Sequence, residues 1–224
     1  MKPFEGVPGW PPLAGVVALA VAYVASFVVV VVVALVAEAA GYEPADRPPG
    51  AVLLVAVLFA LTSVGACLFV ARQTAPLAPG QFGLRRVPPG EAALLVAAAA
   101  LVLAAVVTVW AWATVERLAF PVPQELDRGD VDADAGLAAS ALARAVVAPV
   151  AGQVVLLGFV LPALSRWRGV VPAAILCTLL LAPLAGVVGD GGRLAVPALV
   201  LAALLVALRL RSGSLVPGIA LACG

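Results

Sequence analysis

Charged residues punctuate this sequence at wide intervals, leaving charge-free stretches at 6–37, 51–71, 92–115, 145–165 and 169–189. An apolar stretch of about 18 or more residues crosses roughly 30 Å of hydrocarbon as a helix. The pattern predicts an all-α, polytopic transmembrane helical bundle of about six spans plus a short or truncated seventh. The first span runs over Leu13–Val36; its Val29–Val33 run has strand propensity, but lipid offers the backbone no partners and so imposes helix. The second, Ala51–Ala71, ends at Arg72, and the third, Ala92–Ala113, carries Trp110 and Trp112 near its exit as interface anchors. A fourth covers Gly136–Ser165, interrupted by Arg144 and Pro149, and a fifth Val170–Val188. The sixth, Leu194–Leu208, lies between Arg193 and Arg209; at about 22 Å it needs snorkelling arginines or protein neighbours at its ends. The apolar terminus Ser212–Gly224 covers about 20 Å as a helix, so it is either a short re-entrant piece buried against protein or a last span cut off partway.

Loop charge gives the orientation. With the N-terminus inside, the cytoplasmic segments hold eight basic residues, Lys2, Arg72, Arg85, Arg86, Arg166, Arg168, Arg209 and Arg211, and the outer loops hold four, Arg47, Arg117, Arg128 and Arg193. An excess of Lys and Arg marks the cytoplasmic side. The apolar run after Met1–Pro12 is about twice the length of a secretory h-region, so it reads as a retained span. Residues 1–79 form an N-terminal two-span region and residues 80–224 the remaining helical domain.

Composition narrows the chemistry. The chain is 64% hydrophobic and 11% charged, against about a quarter charged for soluble domains, which excludes a soluble fold. Its net charge of +1 supplies no bulk field for nucleic acid, which is discarded as a partner; the lipid bilayer is the expected surrounding. No histidine and no asparagine occur anywhere, and one lysine stands against twelve arginines. Ser-His and Cys-His nucleophiles, His-ligated zinc, His-bound haem and imidazole relays are thereby removed. Cys67, Cys177 and Cys223 lie in apolar runs at spacings that match neither a disulfide framework nor a metal site, and read as small core residues. The alternating Asp130, Asp132 and Asp134 lack the distant glutamate of a calcium loop and read as a solvated connector.

Two polar residues stand inside spans. Arg144 lies about two turns into the fourth span, where it either snorkels to the interface or serves a buried role. Gln153, beside Gly152, is either an interhelical hydrogen-bonding group or the polar remnant of a site.

A family resemblance follows from Pro123–Leu126, Ala148–Leu164, Trp167-Arg168-Gly169, Ala174-Ile175-Leu176 and Leu208–Leu221, with Phe82-Gly83-Leu84-Arg85-Arg86 upstream. These segments resemble the CPBP family of intramembrane proteases, the CAAX prenyl endopeptidases and bacteriocin-processing relatives, over roughly residues 80–224; the element at Arg211–Pro217 is the most specific. The resemblance implies two adjacent glutamates followed four residues later by arginine, but those places hold Gly152, Gln153 and Leu157. Its second motif, Phe-x-x-x-His, falls on Ala182 and Gly186, and the histidine of its third falls on Ala222. Glutamine is no general base, and glycine, leucine and alanine offer no ligand. The resemblance thus implies a protease scaffold with no catalytic residues, no metal and no cofactor, which binds a membrane protein or peptide segment in a bacterial plasma membrane. The alternatives are an active CAAX-type endopeptidase using other groups, an unrelated small transport subunit, and a decaying gene.

Overall fold

A peptide group in hydrocarbon finds no water to bond, so each apolar stretch must close its hydrogen bonds internally. The computed structural model describes residues 10–39, 41, 49–74, 82–84, 87–114, 142, 146–182 and 195–223, and the long apolar stretches among them are helical. Helices α1 (Pro12–Ala39), α2 (Pro49–Thr74) and α3 (Pro89–Thr114) each open on proline. That placement suits the first helical position, where the missing N–H would have had no partner. Helix α4 runs without a break through Ala148–Gly152, Gln153–Val160 and Leu161–Arg168; α5 is Val170–Ala182, α6 Ala195–Ser212 and α7 Val216–Cys223. Gly169, at φ 88°, ends α4, and Gly213, at φ 65°, ends α6; both breaks use a backbone conformation that glycine adopts without strain.

The expected all-α bundle is present: α1, α2, α3, α4 and α6 are long and apolar enough to cross a membrane, and α5 is a shorter apolar helix. Three boundaries differ from the sequence expectation. α4 continues to Arg168 rather than Ser165, because nothing stops it before Gly169. α6 has 18 residues rather than fifteen, about 27 Å, because it winds on through its last turn to the Gly213 cap. The apolar terminus forms α7, whose Pro217, Gly218 and Leu221 are buried against protein. Parts of the expected fourth and fifth spans, 136–141, 143–145 and 183–188, lie outside the described residues, as does the acidic connector.

α4 is the central element: 72% of its spanning window is buried, against 6% for α3. One apolar core joins Leu157, Phe159 and Leu161 of α4 to Ala14 and Ala18 of α1, Cys67 and Ala71 of α2, Cys177 of α5, and Ala202 and Leu205 of α6. Cys223, expected in the core, is exposed at the tip of α7.

α1 meets its neighbours through small residues. Ala14, Ala18, Ala22 and Ser26 recur every fourth position and are buried, while Tyr23, Val24 and Phe27 face outward. A fourth-residue stripe of small side chains lets helix backbones approach closely, and polar groups can bond across it. Ser26 Oγ lies 2.7 Å from Ser63 Oγ of α2. Gly15 is tighter still: a Cβ there would stand 2.9 Å from Ala163 Cβ.

Gly15→Val is therefore expected to separate α1 from α4 and destabilise the detergent-solubilised protein by about 1–3 kcal/mol in thermal unfolding. Gly65→Val, where a Cβ meets nothing within 4 Å, should leave the transition unchanged.

Candidate functional site

The middle of α4 departs from α-helical geometry. Gln153–Val160 is π-helical, and the Leu161 amide continues that register by donating to Leu156 O, five residues back. The next amide would bond Leu157 O, but residue 162 is proline and has no N–H. A carbonyl left unbonded in an apolar interior costs free energy. Arg209 of α6 supplies the donor: its Nε bonds Leu157 O at 3.2 Å, and its Nη1 bonds Gly213 O, in the turn that ends its own helix. Arg209 is 1% exposed. Of the two ways the sequence left open for the end of this span, snorkelling arginines or protein neighbours, Arg209 takes the second, because the vacant carbonyl of α4 draws the guanidinium inward.

Gly83, between α2 and α3, lies over this arginine. Gly83, at φ 79°, lies so close to the guanidinium that a Cβ on it would stand 2.4 Å from Arg209 Cζ. Gly83 O accepts from the Leu215 amide at 2.8 Å. Phe82 O would be 3.0 Å from a Cβ on Gly158, so α4 needs glycine there. Phe82 also joins Trp10, just before α1, and Phe159 of α4 in an aromatic trio with centroids 4.4–6.3 Å apart.

The Gly213–Pro217 turn follows from its residues. The Gly213 amide bonds Arg209 O at 3.0 Å and caps α6. Ser214 Oγ accepts from the Val216 amide at 3.2 Å, a serine turn that leads into α7, and Pro217 sits in the first turn of that helix. Leu215 points into the core at 1% exposure. Each residue thus has a task in turning the chain back along α4.

The sequence-designated positions fall as follows. Gln153 is wholly buried, and its Nε2 donates to Gly218 O of α7 at 3.2 Å. Its Oε1 has no hydrogen-bond partner among the described residues and lies 2.6 Å from where a Gly218 Cβ would be. Gly152 is buried beside it, and Leu157 is 0% exposed. Ala222 stands one turn beyond Gly218 on α7, half-buried, and Ala182 is buried at the end of described α5. Structure thus brings Gln153 to α7 and Leu157 to α6. Gly186 and Arg144 lie outside the described residues.

These residues do not fit a metal or a water-activating base. Gln153 brings a neutral amide, and Gly152, Leu157, Ala182 and Ala222 bring no donor. Among the described residues no three His, Cys, Asp or Glu side chains gather. A cavity of about 290 Å³ lies elsewhere, lined by Ala105, Val106, Val109 and Trp110 of α3 and Val196 of α6. Sequence reasoning missed Arg209 and Gly83. Arg209 continues the buried stripe of Ala198, Ala202 and Leu205, but α6 is apolar on every side and the stripe shows no contrast.

A family model described as Type II CAAX prenyl endopeptidase Rce1-like matches residues 134–223, less than half of the chain. Phe82–Arg86 and Pro123–Leu126 lie before the matched segment. No curated protein and no solved structure matches the chain.

Arg209→Ala should destabilise the protein by about 1–3 kcal/mol, because it strands a buried carbonyl. Gly83→Ala should also destabilise it, and a thermal double-mutant cycle between the two should show coupling of about 1 kcal/mol or more. Gly218→Ala forces Gln153 from its place and is expected to lower the melting temperature, whereas Gly218→Ala combined with Gln153→Ala should recover most of the loss.

Proposed function

We propose that this chain is a non-catalytic integral membrane protein on a CAAX-protease-like helical scaffold, which holds a membrane-embedded segment of another protein without cutting it. One observation carries the reading: the only strongly polar side chain at the family's catalytic places, Gln153, is buried and hydrogen-bonded to Gly218 O. A general base must reach a water and change its protonation state; a buried glutamine does neither. The match over 134–223 supports the scaffold, since it includes Gln153, the Arg211–Pro217 element and Ala222. Fold and chemistry are separable, so a protease-like helix set can serve in binding alone.

On this reading residues 1–79 form a two-span region added to the family-like part, 80–224. The N-terminus faces the cytoplasm, supported by eight basic residues on that side against four on the other. The bias to Ala, Val and Arg, as in GC-rich coding, supports a bacterial plasma membrane.

The test is cleavage and binding of a membrane-segment peptide library by the full chain in proteoliposomes, with and without added divalent metal. Saturable binding of a subset of peptides with no cleavage is expected. Cleavage that disappears in Gln153→Ala would overturn the proposal.

A further inference from the structure

The net charge of +1 conceals a separation. Among the described residues, helix alternation puts Arg72, Arg166, Arg168, Arg209 and Arg211 toward one end of the bundle, against Glu91 alone. At the other end the described residues include Glu38, in the last turn of α1, and no lysine or arginine. Packing fixes which segments share the basic end: Gly83, between α2 and α3, lies on Arg209 near the end of α6, and Trp10, before α1, stacks with Phe82.

At that end Arg72, Arg168 and Arg211 occupy the last turns of α2, α4 and α6, and all three are exposed. Basic residues commonly balance the negative ends of helices, but in α6 Arg209 already serves that purpose through Gly213 O, which leaves Arg211 turned outward. In α4 the Arg168 guanidinium lies 4.5 Å over the Trp167 ring, and that indole is 59% exposed. Exposed tryptophan settles at head-group depth, so the stacked guanidinium is held level with lipid phosphates.

We propose that this end of the bundle binds the phosphate head groups of acidic phospholipids, with Arg72, Arg168 and Arg211 as the contacts and Trp167 as the stacking platform for Arg168. Lipid fits better than an acidic protein. The three arginines sit on the last turns of membrane helices, and the described turns beside two of them, at Gly169 and at Gly213–Leu215, are too short to raise a protruding surface. Several basic side chains at a hydrocarbon edge facing an anionic leaflet are a recognised arrangement for holding such lipids.

The test is spin-label spectroscopy of the full chain in phosphatidylcholine membranes, comparing labelled phosphatidylglycerol with labelled phosphatidylcholine in the motionally restricted shell. Phosphatidylglycerol is expected to be preferred by about fivefold or more. The preference should approach parity at about 1 M salt, where charges are screened within about 3 Å. In the triple variant Arg72→Gln/Arg168→Gln/Arg211→Gln, checked for helicity, it should fall at least about threefold. Salt titration of the unaltered protein reads the same interaction should that variant fail to fold. Equal preference for the two lipids, or a preference that salt leaves intact, would overturn the proposal. Competition by inorganic phosphate would overturn the lipid source in favour of a free-anion site, and loss of the preference only in the presence of an acidic peptide would assign the surface to protein.

Discussion

Pro162 removes one backbone donor from the most deeply buried helix of the protein, and the hydrogen bond from Arg209 to Leu157 O replaces it. In an interior without water that vacancy must be filled. Filling it with an arginine has structural consequences. The guanidinium draws the end of α6 against α4, requires glycine at position 83 above it, and shares Gly213 with the cap that turns the chain into α7. Phe82 and Gly83, the final turn and the Trp10 cluster are all organised around this buried cation. Lysine, with no planar fork, could not bridge the same two carbonyls while lying flat under a glycine.

The same turn sets the fate of the neighbouring positions. Because Leu215 is tied to Gly83 O and α7 folds back along α4, Gly218 comes to lie on Gln153. The amide bonds the Gly218 carbonyl through nitrogen, and its oxygen is enclosed. An intramembrane hydrolase needs room for water beside a titratable group. Here that volume is occupied by the α4–α7 contact, so packing has taken the place of hydration where the family resemblance locates chemistry. Enclosing that oxygen without a hydrogen bond costs free energy that the surrounding packing offsets.

The all-α character and the order of the long apolar helices were legible because lipid reduces fold prediction to finding charge-free stretches: α1, α2 and α3 each fall within a few residues of their expected limits. The absence of histidine, and with it of imidazole chemistry, was legible directly from the residues. The interior was not. In a soluble helix, polar residues mark the outward face, but in α6 both faces are apolar, and Arg209 and Arg211, two residues apart, look alike in sequence while one is buried and the other exposed. The π-helical register of α4 has no compositional signal, although Pro162 marks where its hydrogen bonding fails. The Gly213–Pro217 element drew notice by resemblance, and only its geometry gives each residue a reason.

The most direct measurement places a reporter at the enclosed position: Gln153→Cys in a chain with Cys67, Cys177 and Cys223 replaced by alanine, exposed in native membranes to a small water-soluble thiol reagent. If the α4–α7 contact fills the site, the thiol should stay unmodified until the protein is denatured and then react fully. Labelling within minutes in the folded protein would mean an open, hydrated cavity at residue 153 and would contradict the account.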